Sequence, residues 1–150
     1  MSGPAGCDAD LLVAPSQTES YEILPGRIDA GLLVICDHAV NAIPEPYGTL
    51  GLPPDELQRH IAYDIGALSV ARGISRILGA PGIATRFSRL LIDPNRGLDD
   101  PTLIMRIPAG AVVPGTRHLD PAEPQRRVHP SHPPYHPPMT PLTEQPNATN

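Results

Sequence analysis

The chain has 150 residues, of which 40% are apolar, enough for the core of one ordinary domain and too few for two full ones. Sixteen acidic against eleven basic residues leave a formal charge of −5, which argues against a nucleic-acid partner or an anionic membrane surface. One Phe, four Tyr and no Trp leave Leu, Ile, Val and Ala to supply the buried area, and 21 prolines far exceed ordinary use.

Residues 1–20, "MSGPAGCDADLLVAPSQTES", are small, polar and irregular, and are expected to form a disordered leader that stops where "YEIL" begins at Tyr21. They hold neither a basic start nor a long apolar stretch, so nothing marks the protein for export or for spanning a membrane. Cys7 and Cys36 lie in unlike contexts, which suits a reducing cytoplasm better than a structural disulfide.

"GLLVIC", residues 31–36, is a short continuous apolar run behind a glycine, the pattern of a strand buried on both faces of a parallel or mixed sheet. It runs straight into "DHAVNAIP", at the end of a strand where ligands of open α/β sheets gather. There His38 offers a zinc-ligating imidazole, with Asp37 and Asn41 to shape its surroundings; the plainer account is a hydrogen-bonded loop. Cys36 reads better as a small buried residue than as a nucleophile.

"EPYGTLGLPP" is loop chemistry. From Asp55 to Leu78, apolar residues at Leu57, Ile61, Ile65, Leu68, Ile74 and Leu78 predict one long helix. Pro53, Pro54, Asp55 and Glu56 suit its first turn, and Gly79 with Pro81 its end, while Gly66 and Gly73 weaken it. On that helix His60 and Asp64, four residues apart, would share one side, either as a pair able to grip a metal or as a solvated surface pair. "GIATRFS" and "RLLID" then predict a second strand region interrupted near Ser88 and Arg89, completing a strand, helix, strand crossover of an α/β fold.

"RFSRLLIDPNRGLDD" gathers Arg86, Arg89, Asp93, Asn95 and Arg96. Guanidinium forks grip carboxylates in two-point contact, so the cluster is either equipment for an anionic substrate or a turn laced with surface ion pairs. Beyond it "TLIMRI" and "AVV" are candidate short strands. Nine prolines between Pro121 and Pro146 predict a disordered tail over residues 129–150, so His118, His129, His132 and His136 have no fixed scaffold for a metal.

Taken together, "LLVICDHAVNAIPEPYGTLGL", "RHIAYDIGA", "RFSRLLIDPNRGLDDPTLI" and "VVPGTRHLDPAEPQRRV", in this order, resemble the N-formylglutamate amidohydrolase family, and "PYHPPMTPLTEQ" is similar to a degraded form of its "PYH" segment. The resemblance implies a zinc-exopeptidase-like (phosphorylase/hydrolase-like) α/β domain over residues 21–128, with a mixed or parallel sheet and flanking helices, incomplete because the family continues well past Asn150. It implies hydrolysis of the N-formyl, or another N-acyl, amide bond of an acidic amino acid by a zinc-activated water, in cytoplasmic amino-acid degradation. The small-molecule acyl amino acid is then the partner, with no nucleic acid and no membrane. Carried over by position, His38 and Asp64 match metal ligands of one Zn2+ per chain whose third ligand is not identifiable here. Arg89, Asn95 and Arg96 match the residues that hold substrate carboxylates, Asp93 orients them, and Asp37 and His60 are the catalytic candidates. The alternative is a truncated, non-catalytic relative that binds a small carboxylate or a partner chain.

Overall fold

A computed structural model of the protein describes residues 12–13, 16–17, 20–105, 113–116, 122 and 126–127. Among them the regular elements are β1 (Leu12–Val13), β2 (Ser16–Gln17), β3 (Tyr21–Leu24), β4 (Gly26–Arg27), β5 (Val34–Cys36), α1 (Ala67–Leu78) and β6 (Gly82–Thr85). The main sheet runs β2-β3-β6-β5, with β5 parallel to β6 and β3 antiparallel to it, so it is mixed, as expected. The parallel pair, in register at Ile35 and Ile83, is joined through α1, which packs on both strands. That is the α/β crossover the sequence pattern predicts.

Alternation along the strands decides what each face buries. Leu24, Cys36 and Ala84 face α1 and close on Ala71, with Val34, Val40, Ala67 and Leu68 packed around them. The small side chains at Ala71 and Ala84 let the helix lie close in a core with few aromatics. Ile23 and Ile83, beside Tyr21, pack together separately from that cluster. The long loops on either side of α1 carry two further clusters, one of Leu50, Leu52, Ala62, Leu90 and Val113 and one around Phe87, Leu91, Ile92, Leu103 and Ile104.

Four expectations need correction. The leader is not uniformly irregular: β1 pairs with β4 and β2 with β3, because extended backbone at a sheet edge satisfies its N–H and C=O groups by pairing. The helix covers only Ala67–Leu78, since Gly66 at φ +86° holds a left-handed conformation that ends any helical run from Asp55. The preceding residues form successive tight turns, with Glu56 bonded to Pro53, Gln58 to Asp55, Arg59 to Glu56 and Ala62 to Arg59. "RLLID" is buried but is a turn, in which the Ser88 hydroxyl accepts from the Leu90 amide and the Leu91 amide donates to the Ser88 carbonyl. Thr102–Met105 likewise form turns rather than a strand. The helix end agrees with prediction: Gly79 is left-handed at φ +62° and the Ala80 amide reaches back to the Ser75 carbonyl. Residues 106–112 of the candidate strands, the histidines of the tail and Cys7 lie outside the described residues; of "AVV" only Val113 is described, buried and not in a strand. None of the helices among the described residues is long and apolar enough to cross a membrane.

Gly26 marks the tightest crossing. A Cβ there would sit 2.1 Å from the Ala80 carbonyl carbon and 2.2 Å from the Pro81 nitrogen, both backbone atoms that cannot swing aside. Gly26→Ala is expected to lower the unfolding free energy by about 1–3 kcal/mol, read as a fall in the urea midpoint.

Candidate functional site

Cys36 and Thr85 end the two parallel strands side by side, and the segments leaving them are stitched together over that edge. Thr85 does much of this: its buried hydroxyl donates to the Asp37 carbonyl at 2.8 Å and accepts from the Ala39 amide at 3.2 Å, bracketing His38 on both sides. The Asp64 amide donates to the His38 carbonyl at 3.0 Å, and the Ser88 amide to the Ala42 carbonyl at 2.7 Å. The Ser88 hydroxyl and the Arg89 amide both donate to Ala62. Three loops separate in sequence thus deliver His38, Asp64, Arg89 and Asp93 to one place.

His38, 9% exposed, stands between two carboxylates. Its Nε2 is 2.8 Å from Asp93 Oδ1 and its Nδ1 is 3.3 Å from Asp64 Oδ2. A carboxylate only accepts, so Nε2 carries the hydrogen towards Asp93. Asp93, 1% exposed, is the hub: it also accepts the Asn95 amide at 3.0 Å and faces Arg89 Nη2 at 3.4 Å and Arg96 Nε at 3.9 Å. Arg89 reaches Asp64 as well, at 3.4 Å, and its buried Nε has no hydrogen-bond partner among the described residues.

The charges follow from this packing. The hydrogen bond to Asp93 raises the His38 pKa above its ordinary value, outweighing the opposing effect of burial. Burial pushes the Asp93 carboxyl up, but the His38 hydrogen bond, the Asn95 amide and the charges of His38 and Arg89 together hold it below the usual range. A raised imidazole contributes stability that is complete below its unfolded pKa, about 6.5, and fades as pH climbs through the folded value. A depressed carboxyl contributes above its unfolded value and loses that contribution as pH falls through the folded one. In metal-free protein the denaturation midpoint should therefore decline on the alkaline side of about pH 6.5, with the slope flattened in His38→Gln. An unchanged slope in that variant would remove His38 as its source.

The site residues expected from sequence divide clearly. His38, Asp64, Arg89 and Arg96 come together around Asp93, and Asn95 joins through its backbone amide. Asp37, half-buried, adjoins His38 and gives its carbonyl to Thr85. His60 does not join them: it lies exposed in the turns before α1, so the expected pairing with Asp64 on one helical side is absent. Asn41 turns its amide to the Leu57 carbonyl at 2.8 Å, bracing the loop rather than the imidazole. The thiol of Cys36 is pushed up first by burial and then by the charges of Asp37 and Asp64, the wrong direction for a nucleophile. Thr85 and Ser88 escaped the sequence reading; a hydroxyl closing a strand beside a buried run is the signal they left.

His38 and Asp64 could serve as two donors to one metal ion. Two ligands on a tetrahedral zinc with bonds of about 2.0–2.2 Å stand about 3.3–3.5 Å apart, matching the Nδ1 to Oδ2 separation of 3.3 Å. A carboxylate holding the far nitrogen, as Asp93 does, is the usual support of such a histidine. Among the described residues no group of three or more His, Cys, Asp or Glu side chains is arranged to hold a metal ion.

A model of the N-formylglutamate amidohydrolase family matches residues 30–149. The crystal structure of gene product Atu2144 from Agrobacterium tumefaciens is similar to the chain at 35% identity and a TM-score of 0.75, over 83% of this chain and 50% of that one. The chain therefore spans half the length of this solved relative. No curated protein matches. The family match takes in β5, α1, β6 and the whole His38–Asp93 cluster, and the chain belongs to the N-formylglutamate amidohydrolase family.

Proposed function

We propose that the chain carries the metal- and substrate-binding first half of a cytoplasmic zinc amidohydrolase of amino-acid degradation, which removes a formyl or similar acyl group from the nitrogen of an acidic amino acid. The observation that carries this reading is His38, held by Asp93 on one nitrogen and facing Asp64 with the other, at the carboxyl edge of the parallel pair. His38 and Asp64 would hold one zinc per chain. Zinc bound there would polarise the acyl carbonyl and acidify a water.

The remaining work falls to the residues around it. Asp93 keeps a hydrogen of His38 on Nε2, so that Nδ1, once it gives up the proton it shares with Asp64, would present its lone pair to a metal. Arg96, the more exposed of the two arginines, and Arg89, with donor capacity unused at Nε, offer positive charge to the substrate carboxylates. Asn95, exposed beside them, adds an amide donor. Asp37, one residue from His38, is the candidate proton carrier, and His60 keeps no assigned role.

The test is to purify the chain without chelators, measure its zinc, and follow formate and glutamate release from N-formyl-L-glutamate. Near-stoichiometric zinc with release of both products is the expected result. Protein that folds cooperatively, holds no zinc and releases no formate would overturn the reading.

A further inference from the structure

Arg127 is only 2% exposed, nearly as buried as Asp93, and it follows a helical turn in which the Arg126 amide donates to the Ala122 carbonyl at 3.1 Å. A guanidinium stays charged at any pH a folded protein meets, so once buried it depends on what surrounds it. Its Nη1 donates to the Leu91 carbonyl at 3.4 Å and its Nη2 to the Gly115 carbonyl at 3.2 Å. The Tyr47 ring covers it, with the guanidinium carbon 5.3 Å from the ring centroid, and the Tyr47 hydroxyl donates to the Arg126 carbonyl at 3.4 Å.

The two carbonyls belong to unlike neighbours. Gly115 is a fixed point: its amide donates to the Leu50 carbonyl at 2.8 Å, and a Cβ on Gly115 would lie 2.9 Å from that same oxygen, so the two backbones are in contact. Leu50 is in turn buried against Leu52, Ala62, Leu90 and Val113. Leu91 belongs instead to the strap that carries the site. That strap is held at one end by the Ser88 amide, which donates to Ala42, and at the other by the Asp93 amide, which donates to Leu103 at 2.8 Å. Leu91 is 1% exposed, so its carbonyl must find a donor inside the protein, and Arg127 supplies one midway between Arg89 and Asp93.

Stability alone does not account for a charge in such a place, because an apolar side chain of similar volume is often as stable as a buried ion. What an apolar side chain cannot do is set two carbonyls at the spacing of a planar fork. We infer that Arg127 is a positioning residue of the candidate site: its guanidinium, spanning the Gly115 and Leu91 carbonyls against the Tyr47 ring, sets the Ser88–Asp93 strap so that Asp93 meets Nε2 of His38. That this serves a metal ligand rests on the function proposed above; that it sets the hydrogen bond between Asp93 and His38 does not.

The probe is the Nε2 proton of His38, followed by heteronuclear NMR in the full-length, zinc-free protein. Buried and bonded to Asp93, it should give its own resonance downfield of the amides. In Arg127→Met that proton should exchange with water about tenfold or more faster, measured against the amide of Ile83 at the sheet centre. Arg127→Lys, which keeps the charge but not the fork, should recover part of the protection. Gly26→Ala loosens the fold elsewhere and should speed both protons together. Tyr47→Leu, which fills the space without a ring over the cation, should move the His38 proton in the same direction as Arg127→Met, and it carries the test if that variant does not fold. A His38 proton unchanged in a folded Arg127→Met or Tyr47→Leu protein, or one that quickens only in step with Ile83, would overturn the inference. So would failure of all three Arg127 and Tyr47 variants to fold, because the residue would then belong to the core. With no zinc present, a negative result leaves the proposed function standing and a positive one does not require it.

Discussion

Asp93→Ala is expected to cost on the order of 3 kcal/mol of unfolding free energy, the largest loss from any single side chain in the site. The carboxylate is 1% exposed and one of its oxygens, Oδ1, serves both the His38 ring and the Asn95 amide. Its other oxygen faces Arg89 and Arg96. Truncation leaves a mostly buried imidazole and a guanidinium at 21% exposure without their common counter-charge, and it opens a void where the loop after β6 turns. Asp93→Asn keeps an acceptor for Nε2–H but not the charge, so it should recover roughly half of that loss. Equal midpoints for the two variants in urea would show that the charge contributes nothing and that shape alone matters.

His38→Ala should abolish zinc retention, a loss beyond the about 10–100-fold in affinity that removing a mere supporting partner costs. His60→Ala should leave zinc content unchanged, since His60 is exposed and lies outside the cluster. Asp64→Asn should fall between them, because a neutral amide oxygen replaces a charged donor at the same place. Metal analysis of the three proteins after gel filtration reads all of this without substrate. Zinc lost equally from the His38 and His60 variants would move the site away from the parallel-strand edge.

Some of this architecture is legible in the sequence because local chemistry and tertiary role coincide. Gly79 and Pro81 stop α1 where a helix would need to stop, and "LLVICDH" places its polar end where the strand ends. The start of the helix was not legible, for a definite reason. Leu57 and Ile61 recur at helical spacing because residues 53–62 are chained by bonds three residues apart, which repeat burial almost as a helix does. Periodicity reports which side chains are inside; it does not report the hydrogen-bond ring that put them there.

The site itself was half legible. Arginines, Asp93 and Asn95 stand close in sequence, so their cluster is announced by composition. The partnership of His38 with Asp93 spans 55 positions and rests on Thr85 and Ser88, whose hydroxyls bond to backbone groups and leave no spacing to count. "RLLID" misled for a related reason: three successive apolar residues look like a strand, but Ser88 bends the chain just before them.

The place of β3 in the sheet has a bearing on how the protein is made. Tyr21 pairs with Thr85, so the strand that emerges early from the ribosome has no partner in the sheet's centre until 64 further residues have been translated. At about 5–20 residues per second that interval is about 3–13 s. Through it "YEIL" travels with β2 as a two-stranded ribbon, too small to be stable alone. The four-stranded sheet therefore cannot close until Gly82–Thr85 is available to pair with β3 on one side and β5 on the other.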